Sequence, residues 1–384
     1  MLLRLGTAVI GVVALTCTLA GCGGNPVVGV LLPTSGSASI YGESIGSGVR
    51  QALADLREGR LPGETLPSDL KIEWADTGSN PQRAVNELRR LVHERQVKLV
   101  VGGATSGEAQ ALLPVLEELN VICLSPSASM PGLTKGTDRF FRLYPSDELE
   151  SATAAKFLLD RIKRDAIILY TGDTDYTRGI EPEFRRQYEP KGRILERVDL
   201  TSPDWQAKSA AAQRRYSPGA VFVVGYAEEI LEVLRHLASI AFDGQVVTTS
   251  AFDNSVVIQR AGALAERVMF PLPPFDRTQE RDPVGGFVDR YMRTYQRAPD
   301  VLAAHGYDAM RIAVKTLSLA RPLEASQIRK VLHFEAGIRT GVTGEIAFDD
   351  FGDVKHYPTM RVIANGQIIS YEKYIDWLTK GIVT

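Results

Sequence analysis

Residues Lys98–Leu124 read KLVVGGATSGEAQALLPVLEELNVICL, and this stretch decides the fold class. Lys98–Gly102 is a short apolar run, the pattern of a buried strand. Thr105 and Glu108 have the spacing of a capping box, in which each side chain satisfies the other's backbone N–H. A helix is therefore predicted over Ser106–Leu119. A second apolar run, Val121–Leu124, follows at once. Strand, helix and strand joined by short turns make a βαβ unit, which sets the strands parallel.

The same rhythm extends in both directions. Upstream, Val27–Leu32 reads as a strand and Ser44–Leu56 as a helix with Val49, Leu53 and Leu56 on one side. Leu70–Trp74 is a second strand and Pro81–Glu94 a second helix. After Arg142–Asp147 the pattern restarts, with strands at Ala166–Tyr170, Arg193–Asp199, Ala220–Val224 and Gln245–Thr249. Helices are predicted at Leu149–Arg161, near Arg178, at Gln206–Arg215, Glu228–Ile240 and Ser255–Gly262. The fold class is α/β, with two doubly wound parallel-sheet lobes joined by three crossovers near Tyr144, Pro273 and Ala347. Residues 27–144 plus 273–346 form lobe 1, and 145–272 plus 347–384 form lobe 2. Helices at Phe287–Arg297, Ala303–Leu319 and Ala325–Leu332 complete the first lobe. Gly344–Asp353 is read as a strand and turn that open a hairpin returning near Thr359–Ala364. Its aspartates lack the ligand spacing of a calcium loop and suit a β-turn.

Composition agrees with two ordinary globular domains: 384 residues, 44% hydrophobic, 23% charged, formal net charge −2. That balance lacks the basic stripe of a nucleic-acid partner. Arg4, the apolar stretch Val9–Ala20 and Leu19-Ala20-Gly21-Cys22 have the order of a signal peptide over residues 1–21. The closing tetrad resembles a bacterial lipobox, which implies lipidation of Cys22; an ordinary signal peptide with a chance cysteine fits the same letters. Residues 22–26 form a tether of roughly 15 Å at about 3.3–3.6 Å per residue. Cys123 is then left without a partner, as a small core residue.

In an open α/β sheet, ligands bind beyond the carboxyl ends of the strands. After Lys98–Gly102, Ser106 opens a helix whose free N–H groups and dipole suit a carboxylate or phosphate; a plain capped helix needs the same residues. After Val121–Leu124, Ser127, Ala128 and Ser129 offer hydroxyls and backbone N–H groups, or a serine-rich loop in water. Tyr176 and Tyr226 each follow a later strand and combine an apolar face with a polar tip. Phe252 and Asp253 follow Gln245–Thr249. Gly46 and Gly48 give only Gly-x-Gly, too little for a dinucleotide fingerprint, and no P-loop ending is present.

Five stretches together resemble the type I periplasmic binding proteins of the Leu/Ile/Val-binding class. They are VGVLLPTSGSASIYGESIGSGVRQALADL (Val28–Leu56), GGATSGEAQALLPVLEELNVICLSPSAS (Gly102–Ser129), LYTGDTDYTRG (Leu169–Gly179), AAHGYDAMRIAV (Ala303–Val314) and GVTGEIAFDDFGD (Gly341–Asp353). The resemblance implies that Ser106 and Ser127–Ser129 hold a ligand carboxylate, that Tyr41 walls the pocket, and that Tyr176 and Tyr226 close over it. The amino-acid binders of that class place an acid after the Gln245–Thr249 strand for the ligand's ammonium. Ala251 or Phe252 stands there, with Asp253 slightly out of register, so either Asp253 substitutes or the ligand lacks an α-amino group. The first-lobe disulfide frequent in the class is absent, with Thr105 where a cysteine would sit.

The implied function is an extracytoplasmic, lipid-anchored receptor that captures an amino acid or related small carboxylate by hinge closure and delivers it to an ABC permease. It implies no cofactor, no metal and no nucleic acid; the membrane is engaged through the N-terminal lipid. The alternative is a ligand-poor envelope lipoprotein of this fold that regulates a cell-envelope enzyme by protein–protein contact. Catalysis is not indicated: the five histidines are scattered, with no HExxH and no nucleophile–base arrangement.

Overall fold

The computed structural model describes residues 25–381, so the signal peptide and Cys22 lie outside the described residues. The first sheet has five strands in the order β2-β1-β3-β4-β5, all parallel. They are β1 (Val27–Leu32), β2 (Lys71–Asp76), β3 (Leu99–Gly102), β4 (Ile122–Ser125) and β5 (Phe140–Arg142). Helices α1 (Ser39–Arg57), α2 (Pro81–Arg95) and α3 (Ser106–Leu119) form the crossovers. Alternation along β1 sorts the layers. Val28, Val30 and Leu32 face the core shared with α1, while Val27 and Leu31 face the core shared with α2 and α3.

The second sheet has seven strands: β6 (Ala166–Thr171), β7 (Arg193–Asp199), β8 (Ala220–Val224), β9 (Gln245–Thr248), β10 (Met269–Leu272), β13 (Thr359–Ala364) and β14 (Gln367–Ser370). β6–β10 run parallel, and β13 pairs antiparallel with β10 and with β14. Helices α4 (Asp147–Lys156), α5 (Asp175–Tyr188) and α12 (Tyr371–Thr379) belong to one face. On the other lie α6 (Trp205–Tyr216), α7 (Ala227–Ser239) and α8 (Ser255–Ala261). Chain returning from this sheet gives α9 (Val284–Tyr295), α10 (Val301–Leu319) and α11 (Ala325–Phe334) to the first lobe.

The expected Gly344–Ala364 hairpin does not form. β12 (Gly344–Ile346) pairs instead with β11 (Ile338–Gly341). The turn after it stays beside the first sheet, where Asp353 bridges Arg142 and Phe348 packs on Phe141 at 5.3 Å. The segment through Val354 therefore stays beside the first sheet. Buried Arg142 holds it there through Asp353 at 2.5 Å and also donates to the Met130 carbonyl at 2.8 Å. Asp349 closes the turn by accepting from the Phe351 and Asp353 amides.

Gly48 has a packing role. A Cβ there would lie 1.9 Å from the Ala303 carbonyl oxygen, and one at Gly306 would lie 2.3 Å from that of Ile45. Two glycines thus let α1 and α10 cross with their backbones nearly touching. Cys123 is buried in β4, and burial pushes its thiol up to about 12, consistent with a packing residue. No helix among the described residues is long and apolar enough to cross a membrane.

Candidate ligand site

The carboxyl ends of β3, β4, β8 and β9 converge on one cavity of about 60 Å³ between the lobes. From the first lobe it is lined by Tyr41, Ala104, Thr105, Ser106, Ser127, Ser129 and Leu302, and from the second by Tyr176, Tyr226, Ser250 and Ala251. Tyr144, at the first crossover, completes the wall.

The Ser106 corner is built as the sequence predicts. Thr105 caps α3, accepting from the Glu108 amide at 3.2 Å, and buried Glu108 is held by Thr77 at 2.5 Å. The cap leaves the Ser106 and Gly107 amides and the Ser106 hydroxyl without a partner among the described residues. That is a cluster of donors at the positive end of a helix.

The serine loop is more divided. Ser125 organises it: its hydroxyl donates to the Gly103 carbonyl at 2.9 Å and accepts from the amides of Ser127 (3.5 Å) and Ala128 (3.1 Å). Ser127 donates its hydroxyl proton to the Ala104 carbonyl at 2.6 Å. The Ser127 hydroxyl and both amides are thereby committed to shaping the loop, and Ala128 is buried in the first-lobe core rather than lining the cavity. Ser106 and Ser129 are the serines positioned to meet a ligand.

Three tyrosines close the other side. Tyr176 stacks on Tyr226 with ring centroids 5.4 Å apart and planes at 15°, and Tyr226 meets Tyr41 at 5.4 Å and 46°. The Tyr41 hydroxyl accepts from the Ala227 amide at 2.7 Å and donates to the Ala251 carbonyl at 3.3 Å. All three phenols are buried, which pushes their ionisation above the ordinary range, so they act as neutral groups.

Phe252 and Asp253 do not join the cavity. Phe252 is fully buried in a 3₁₀ turn and meets Phe270 edge-on at 6.1 Å. Asp253 turns toward the crossover, where Arg277 donates to both its oxygens at 2.6 Å and the Val301 amide donates at 2.9 Å. A buried carboxylate needs such partners, and Arg277 with the start of α10 supplies them. Sequence reasoning missed Tyr144, Leu302 and Ser250 as lining residues. Ser250 carried a usable signal, since it lies just beyond the carboxyl end of β9.

These positions can be set beside known proteins. A profile of the family described as "Periplasmic binding protein" matches residues 27–363. The chain belongs to the periplasmic binding protein family. As a periplasmic binding protein it is 25% identical over 332 residues to the leucine-, isoleucine-, valine-, threonine- and alanine-binding protein of Pseudomonas aeruginosa, covering 85% of this chain and 86% of that one. It is 23% identical to the leucine-specific-binding protein of Salmonella typhimurium, covering 91% and 94%. The branched-chain amino-acid substrate-binding protein of Streptococcus pneumoniae, solved with isoleucine, superposes with a TM-score of 0.80 at 25% identity, covering 90% and 98%. An ABC-transporter solute-binding protein of Rhodopseudomonas palustris, solved with benzoate, has a TM-score of 0.78 at 18% identity, covering 91% and 96%, and shares the fold.

Proposed function

We propose that this periplasmic binding protein captures a small carboxylate-bearing solute, of the amino-acid kind its relatives bind, by closing two lobes on it and presenting it to an ABC permease. One observation carries the reading: serines at the ends of β3 and β4 and tyrosines after β6 and β8 face one another across a single cavity. The α3 N-terminus and the Ser106 hydroxyl would take the carboxylate, and the rings of Tyr176 and Tyr226 the apolar body. A cavity of about 60 Å³ has room for about two waters, at about 30 Å³ each. A solute the size of an amino acid enters only when the walls part, which favours a hinged open–closed equilibrium.

In this reading lobe 1 spans residues 27–143 and 275–354, lobe 2 spans 144–274 and 355–384, and Cys22 carries the lipid that holds the receptor at its membrane. The regulatory-scaffold alternative gains no support from the relatives. Thermal-shift and calorimetric screens against amino acids and small carboxylic acids test the reading. Saturable stabilisation by one class supports it, and indifference to all of them rejects it.

A further inference from the structure

Beside the tyrosine wall lies a cluster of buried acidic groups that the lining residues alone do not reveal. Asp147, at the start of α4, is fully buried, and neither of its carboxylate oxygens has a hydrogen-bond partner among the described residues. One turn on, Glu150 is also buried and accepts from the Ser250 amide at 2.7 Å and the Ser250 hydroxyl at 2.6 Å. Independently, the hydroxyl of Tyr176, on α5, is buried without a partner among the described residues, although its ring lines the cavity.

We propose that Glu150, with Asp147 and Tyr176, forms the subsite for a positively charged nitrogen, so that the solute is an amino acid or similar zwitterion rather than a plain carboxylate. This deepens the receptor reading and rests on it.

The surroundings show why a cation belongs there. Arg142, from β5, is a cation that acts on Asp147, and it is already committed to Asp353 and the Met130 carbonyl. Glu183, from α5, adds further negative charge beside Asp147. Asp253 stands near Tyr144, but Arg277 already neutralises it. Ser129 and Ser250 offer only neutral hydroxyls, and Tyr144 and Tyr176 are uncharged phenols. Two buried carboxyl groups, three residues apart on one helix, thus repel each other with too few donors to keep both ionised.

An ammonium has three N–H donors, and Asp147, Glu150 and Tyr176 present three acceptor side chains. Ser250 and Tyr176 both belong to the cavity wall, so a group held by the cluster extends into the cavity toward Ser106. Donors at the α3 end and acceptors at the α4 end give the site the polarity of a zwitterion. Burial pushes Asp147 well up, with Glu150 adding to it, and pushes Glu150 up to about 7. Without a cation the cluster holds a proton, and an arriving ammonium releases that proton to solvent.

The test is calorimetric titration of the wild-type protein and Glu150→Gln with the standard amino acids, 4-methylpentanoate and benzoate. Gln keeps an acceptor for the Ser250 amide but carries no charge. The expected result is that wild type binds an amino acid at least tenfold more tightly than a carboxylate lacking the amino group. Glu150→Gln should lose tenfold or more for the amino acid and little for the plain carboxylates. Binding of 4-methylpentanoate or benzoate as tightly as any amino acid overturns the subsite while leaving the receptor standing. Binding of no probe overturns both. Should Glu150→Gln not fold, the wild-type comparison decides alone. Proton release at pH 7, read from the buffer dependence of the binding enthalpy, is the accompanying signature.

Discussion

The hydroxyl of Tyr41 on α1 accepts a hydrogen bond from the Ala227 amide at the first turn of α7, 2.7 Å away. One side chain thus joins the helix layer of the first sheet to that of the second, at the position where α7 would otherwise offer a free N–H to a ligand. The same hydroxyl reaches the Ala251 carbonyl at 3.3 Å, so it bridges two segments of the second lobe from the first.

That bridge should hold the empty protein partly closed. A hydrogen bond is worth about 0.5–1.5 kcal/mol net, so its loss shifts a two-state equilibrium by up to about tenfold. Tyr41→Phe keeps the ring against Tyr226 and removes the bridge. Small-angle scattering of the ligand-free variant should show a larger radius of gyration than wild type, with an unchanged unfolding transition. Equal radii would mean that the hydroxyl does not bias closure.

Gly107 makes a second, steric test of closure. A Cβ on this residue, in the first turn of α3, would lie 2.3 Å from Asp175 Oδ2 in the first turn of α5. The carboxylate can swing aside, but Asp175 Cβ lies 3.5 Å from the same point, so a branched side chain meets it when the two helices approach. Gly107→Val should wedge them apart, lowering solute affinity at least tenfold while the melting temperature moves by only a few degrees. An affinity equal to wild type would show that ligand is held without this approach.

The serines should differ in importance. Ser106→Ala removes an uncommitted hydroxyl at a helix N-terminus, and hydrogen bonds to a charged group are worth about 1.5–3 kcal/mol, or roughly tenfold or more in affinity. Ser127→Ala removes a hydroxyl whose proton is already donated to Ala104. Its cost should fall on loop order and be smaller. Calorimetry of the two variants with one solute checks the ranking, and a larger loss for Ser127 reverses it.

The βαβ rhythm is legible because the inner parallel strands are buried on both faces and so read as unbroken apolar runs, as in Ala220–Val224. β5 and β11 are not legible, since three or four residues carry too little pattern; β12 is read as a strand, but its partner is set by tertiary contacts. β10 is obscured by Pro271, which it accommodates beside the antiparallel β13. At the site, residue type and strand-end position together point to Ser106, Ser129, Tyr176 and Tyr226. They do not show that Ser127 bonds Ala104, or that Arg277 claims Asp253. Those depend on where a distant backbone or side chain arrives. In the sequence, Asp147 and Glu150 look like ordinary residues of a helix start and helix face, because nothing local distinguishes a buried carboxylate from a solvated one.

Glu150 should leave a mark on stability as well as on binding. Its carboxyl is raised from an ordinary 4.5 to about 7 by burial, so the folded state binds more protons than the unfolded chain between those values. Stability from this group is fully present below about pH 4.5 and is lost as pH rises through about 7. His305 works in the opposite direction, since burial presses it down to about 3, and Asp300, raised to about 6, works in the same direction. The raw pH profile therefore mixes signs, and the difference between wild type and Glu150→Gln reports Glu150 together with the push it gives Asp147. The variant should gain melting temperature relative to wild type between pH 5 and pH 7.5, and the gain should shrink when a bound amino acid holds the carboxylate ionised. A difference that stays constant across that range would mean that Glu150 does not titrate there.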